Sequence, residues 1–115
     1  MIIEISFIQK KKNIKNIEWP ELQGAIIEPL LTSCLKKSSF NDIVYSIQKI
    51  MQISFRDLKR YLFYLIEYGL VSYNGQNQKF TIEDGGFDLL DMINEEKIQE
   101  RTDINDITIT FEYSN

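Results

Sequence analysis

Ser54-Phe55-Arg56-Asp57-Leu58-Lys59-Arg60-Tyr61-Leu62-Phe63-Tyr64-Leu65-Ile66-Glu67-Tyr68-Gly69-Leu70-Val71-Ser72-Tyr73 is the stretch that decides the fold. Ser54 with an acid three residues later has the form of a capping box, in which the serine oxygen satisfies a free amide of the first turn. The apolar residues then recur at helical spacing as far as Tyr68. Gly69 follows, the residue that most readily takes the left-handed turn closing a helix. Leu70 to Tyr73 is strand-like, and so is Lys79-Phe80-Thr81-Ile82. The polar, glycine-containing link Asn74-Gly75-Gln76-Asn77-Gln78 between them predicts a β-hairpin.

Upstream, Ser39-Phe40-Asn41-Asp42 repeats the capping signature and opens a helix carrying Ile43, Val44, Ile47 and Ile50. Before it, Ile27, Leu30, Leu31, Cys34 and Leu35 predict a helix from about Ile27 to Lys37, which puts Pro29 in a tolerated first turn. A short helix, a tight connection and a longer helix form helix-turn-helix grammar, and a hairpin directly behind them stands where a wing would. The expected fold is therefore α+β: a winged helix-turn-helix with a three-helix core, a hairpin wing and a C-terminal helix from Asp84 to about Glu100. That last helix bears a wide apolar stripe, Phe87, Leu89, Leu90, Met92 and Ile93, expected to make a homodimer contact.

One domain is expected over 1–115, with a core at 26–97 and extra strands at about 2–8 and 106–113. Ile3, Ile5 and Phe7 alternate with polar residues, as do Ile107, Ile109 and Phe111. The two runs are expected to pair, within one chain or between two. Gln9 to Asn16 reads as a polar, basic connection, and Trp19-Pro20 as a turn or helix start.

The chain has 115 residues, 43% of them hydrophobic, with seven Phe and six Tyr, enough for one real core. It has no histidine and one cysteine, Cys34. That excludes His-based catalysis, multi-Cys/His zinc sites and an internal disulfide. No catalytic constellation, metal or cofactor is expected. No segment approaches the ~20 apolar residues of a membrane span. The N-terminus is apolar first and basic second (Lys10, Lys11, Lys12), the reverse of a signal peptide, so a cytoplasmic protein is expected. The net charge of −4 is unevenly divided. Residues 1–82 hold eleven Lys and Arg against seven Asp and Glu, whereas residues 83–115 hold two against ten. The first part is basic and the last strongly acidic.

From Ile26 to Ile93 the sequence resembles predicted transcriptional regulators of archaea, the ArnR-like winged-helix group. The residues that carry the likeness are Ser54 to Leu62, then Leu65-Ile66-Glu67-Tyr68-Gly69-Leu70-Val71, then Ile82-Glu83-Asp84-Gly85-Gly86-Phe87-Asp88-Leu89-Leu90. Where the group usually has Thr-Glu-Lys-Gly before the last helix, this chain has Glu83-Asp84-Gly85-Gly86. The resemblance implies a DNA-binding winged helix, often dimeric through the last helix.

At about 100° per residue, Phe55, Leu58, Leu62, Leu65 and Ile66 fall on one face, the expected core side. Arg56, Arg60 and Tyr64 lie opposite, with Lys59 nearer the core edge. With Ser54 at the helix start, these are the candidate contacts to double-stranded DNA. Lys36 and Lys37, read as ending the first helix, suit either its dipole or phosphates. Gln76, Asn77 and Lys79 would sit on the wing. Lys10, Lys11, Lys12 and Lys15 read as a solvated linker, and Cys34 as core. The reading from these residues is a sequence-specific DNA-binding transcriptional regulator. A winged-helix protein–protein adaptor, docking through the acidic last third, is the alternative.

Overall fold

The computed structural model describes residues 3–10 and 21–114. Among the described residues the fold is α+β, with four helices and two small sheets, an arrangement compatible with a winged helix. In order, the elements are β1 (Ile3–Lys10), β2 (Leu22–Gln23), α1 (Gly24–Ser33), α2 (Phe40–Gln48), α3 (Phe55–Glu67), β3 (Val71–Asn74), β4 (Lys79–Ile82), α4 (Asp84–Ile98), a 3-10 turn at Ile104–Asp106 and β5 (Ile107–Ser114). Trp19-Pro20, Lys11, Lys12 and Lys15 lie outside the described residues.

The terminal strands pair within one chain. β1 runs parallel to β5 with Ile3 opposite Ile107, Ile5 opposite Ile109 and Phe7 opposite Phe111. β1 continues through Gln9 and Lys10, where a connection was expected. On the other side of β5 lies β2, antiparallel, with Leu22 opposite Ile109; the two-residue β2 was not anticipated. β5 is thus the central strand, and its inward side chains Ile107, Ile109 and Phe111 are buried.

α1 differs most from expectation. It begins at Gly24 and ends at Ser33, so Pro29 sits in its interior. Proline there removes one ladder hydrogen bond. Burial of Ile27, Leu30 and Leu31 outweighs that loss, because all three are closed off from solvent. Thr32 and Ser33 donate their hydroxyls to the carbonyls of Glu28 and Pro29, both at 2.8 Å, and the helix stops there. Lys36 and Lys37 therefore lie beyond the helix, not in its last turn. α2 is capped by Ser39 as expected, yet it ends at Gln48 and leaves Ile50 exposed.

α3 is capped at both ends as its sequence indicates. The Ser54 oxygen accepts from Asp57 N at 3.1 Å, and Gly69 closes the helix with φ +76°. The hairpin pairs Val71 with Ile82 and Asn74 with Lys79. Ser38 joins it as an isolated bridge: Ser38 N donates to Phe80 O at 3.1 Å and Phe80 N donates to Ser38 O at 2.8 Å. The α1–α2 connection and the hairpin are therefore one hydrogen-bonded unit.

α4 packs on α1 and β1. The Lys97 ammonium reaches both oxygens of Glu28, at 2.8 and 3.1 Å, tying the end of α4 to α1. Its first turn presses on the root of the hairpin. A Cβ on Gly86 would lie 2.6 Å from Ile82 Cγ1 and closer still to the Leu70 carbonyl oxygen. Because that oxygen is backbone and cannot swing aside, Gly86→Ala is expected to cost about 1–3 kcal/mol, read as a lower midpoint in urea unfolding. A midpoint equal to wild type would mean that α4 and the hairpin do not approach this closely.

Candidate nucleic-acid interface

α3 has a buried side and an open side, and its core side is rotated from the expected one. Leu58, Tyr61, Leu62 and Leu65 are buried, while Phe55 is 56% exposed. Tyr61 takes a core position because its hydroxyl finds a partner there, accepting from Gln23 N at 3.2 Å. Phe55 instead meets Phe40 edge-on at the start of the helix, 6.4 Å between ring centres. Tyr64 is not on the open side. It is half-buried and stacks on Tyr68, with centroids 6.1 Å apart.

The open side of α3 carries Arg56, Lys59, Arg60 and Phe63, all exposed. Arg60 lies 3.3 Å from Asp57, one turn back on the same helix, with the two side chains 59% and 46% exposed. Such a pair is worth little in water, so Arg60 can exchange Asp57 for a phosphate or a guanine edge at small cost. Ser54 is exposed, but its oxygen serves as the helix cap. Phe63, 57% exposed among these cations, was not singled out in the sequence. An apolar ring in an amphipathic helix looks like core until a structure shows which way it points.

Two recesses flank α3. One, of about 710 Å³, is lined by Asp57, Arg60 and Tyr61 together with residues of α1 and the α2–α3 connection. The other, of about 560 Å³, lies between the start of α2, α3 and the hairpin, and Phe40, Lys59, Phe63, Tyr73 and Phe80 line it. Lys59 Nζ stands 5.5 Å from the centre of the Phe40 ring, within cation–π reach.

On the hairpin, the Asn74 and Asn77 side-chain oxygens accept from Gln76 N and Lys79 N, at 2.9 and 3.1 Å. Asn77 is thus partly engaged in shaping its own loop, while Gln76 and Gln78 project from an exposed tip. Lys79 is half-buried at the root of the loop. Lys36 and Lys37 are exposed, but Lys36 lines a separate recess with Thr32, Ser46 and Ile50. Lys59 thus shares a recess with the hairpin, Arg60 lines the other recess with Asp57, and Lys36 lines a third.

The apolar stripe of α4 is largely spent inside the chain. Leu89 and Ile93 are fully buried, and Leu90 and Met92 pack partly against the core. Those four do not form an open dimer surface; Phe87, 46% exposed, is the member that faces water. Helical spacing revealed the stripe but not that α1 and β1 would cover it.

No group of three or more His, Cys, Asp or Glu among the described residues could hold a metal ion, and no described helix is long and apolar enough to cross a membrane. No protein-family model and no curated protein matches the chain.

Cys34 is fully buried, and burial pushes its thiol from the ordinary 9.0 up to about 12. The folded protein keeps this proton more tightly than the unfolded chain does. The thiol's share of stability is thus intact below pH 9 and is lost as pH rises towards 12. Iodoacetamide at pH 8 is expected to alkylate Cys34 only as fast as the chain unfolds, and urea to accelerate it. Rapid labelling of the native protein would contradict that burial.

Proposed function

We propose that this chain is a sequence-specific, DNA-binding transcriptional regulator of the winged-helix type. The observation that carries the reading is the open side of α3. Three cations, Arg56, Lys59 and Arg60, are exposed there, and Lys59 lines a recess shared with the hairpin in which no described Asp or Glu takes part. A helix of this kind enters the major groove, with arginines offering paired donors to guanine and phosphates fixing the register. The bridge from Ser38 to Phe80 ties the hairpin to the α1–α2 connection, which suits the part of a wing. Gln76 and Lys79 would lie along the backbone, while Lys36 and Lys37 reach phosphate only if the duplex bends towards them.

The acidic segment does not oppose this arrangement. Asp84, Asp88, Asp91 and Glu95 are exposed on α4, which rests on α1 and β1. The sheet that contains β1 stands behind α3, since the Tyr68 ring on its inner side lies against Phe111 of β5, the partner of Phe7. A homodimer, if formed, uses Phe87 and its surroundings in place of the whole stripe. The second reading, a protein–protein adaptor, draws on the exposed Phe55 and Phe63 and on Asp57 and Glu67 interrupting the cations.

Arg56→Ala and Arg60→Ala are each expected to cost about 1–3 kcal/mol of affinity for a duplex selected from a random pool and to relax its preference at one position. Lys79→Ala should weaken all duplexes alike and flatten the salt dependence. Titration at two salt concentrations reads both effects. If wild type and the double arginine variant bind equally weakly and select no sequence, the adaptor reading replaces this one.

A further inference from the structure

We propose that the recess between α3 and the hairpin receives a nucleobase. The nucleic acid preferred by this face is then one with an unstacked base, either single-stranded DNA or a duplex opened at one position. The inference rests on the DNA-binding reading and deepens it.

Three observations converge. First, a closed duplex uses little of the exposed rings, offering them at most an edge contact to a thymine methyl. Phe63 is 57% and Tyr73 46% exposed, and both line the same recess beside the partly buried Phe40. A paired duplex offers base edges in its grooves, while the faces are covered by neighbouring pairs. Flat rings gain from a flat partner, and only an unstacked base supplies one.

Second, the space fits. The recess measures about 560 Å³, inside the roughly 300–1,000 Å³ typical of small-molecule sites. Tyr73 and Phe80 pack 4.7 Å apart along its hairpin wall, and Phe40 forms part of the opposite side, at the start of α2. Asn41 and Gln78 add amides that can hydrogen-bond a base edge.

Third, the charge is of one sign. Among the described residues Lys59 is the only charged side chain lining the recess, and it is held over the Phe40 ring, with Arg56 exposed one turn earlier on α3. A polyanion carrying flat apolar groups matches aromatic walls and a cationic rim, the combination used by single-strand binders. An acidic peptide bearing phenylalanine shares part of that chemistry, but its ring has no polar edge, so it cannot fill the aromatic walls and meet the rim amides with one group as a base does.

The test is fluorescence anisotropy on the full chain with four short labelled probes. These are a fully paired duplex, the same duplex with one unpaired base, the single strand, and a single strand of equal charge with its bases removed. The two probes with unstacked bases are expected to bind about tenfold tighter than the paired duplex, and the abasic strand to lose that gain. Phe63→Ala and Tyr73→Ala should erase the gain without changing the salt slope, whereas Lys59→Gln should reduce the slope by about one. Phe87→Ala, an exposed ring on α4, should leave all four affinities unchanged. Thermal melts followed by circular dichroism check that each variant is folded. A paired duplex that binds as well as the open probes, with Phe63→Ala neutral, overturns the inference and leaves the DNA-binding reading standing. Failure of every oligonucleotide, with saturable binding of an acidic phenylalanine-bearing peptide, overturns both.

Discussion

The tyrosine edge of α3 holds the molecule together. Tyr68 stacks on Phe111 with ring centres 3.9 Å apart, and Phe111 in turn meets Phe7 edge-on at 6.0 Å. About two turns earlier, the Tyr61 hydroxyl accepts from Gln23 N. Two strands from opposite ends of the chain are thus fastened to the same side of one helix. Aromatic pairs of this kind add about 0.5–1.5 kcal/mol each beyond the area they bury. Their larger effect is rotational: α3 cannot turn about its axis without breaking both contacts. With the inner side pinned, Arg56, Lys59, Arg60 and Phe63 have no direction left but outward.

This constraint also explains what the amino-acid sequence disclosed and what it withheld. Signals that depend on nearest neighbours were legible. The serine caps of α2 and α3, the left-handed Gly69 and the hairpin all lie where the residue types put them. The alternation of Ile3, Ile5 and Phe7 with that of Ile107, Ile109 and Phe111 matched to the residue. Features set by distant partners were not legible. Helical spacing ranks residues around α3 but does not say where its core side is centred. Phe55 and Tyr61 exchanged roles because β2, a two-residue strand, supplies a donor for the tyrosine. Pro29 sits inside α1 because tertiary burial overrides local preference there. Leu89 and Ile93 were covered by α1 and β1, elements from the other end of the chain.

The same separation of inner and outer surfaces reconciles an acidic chain with a basic face. Most of the negative charge belongs to residues 83–115. Its helix is anchored to α1 by Lys97 and Glu28 and packs on α1 and β1. Screening lengths are about 8 Å at physiological salt, shorter than the thickness of a packed helix with its side chains. The acids on α4 therefore act weakly on an anion held against Arg56 and Lys59.

The central claim is spatial: nucleic acid meets the open side of α3 and the adjoining hairpin, and not α4. The most direct measurement is a two-dimensional amide NMR titration of the isotope-labelled chain with a short oligonucleotide. Shifts are expected at Arg56, Lys59, Phe63, Tyr73 and the loop 75–78, with Asp84 to Ile98 and the terminal sheet unmoved. Shifts concentrated on Phe87, Asp88 and Asp91, with α3 silent, would contradict the account.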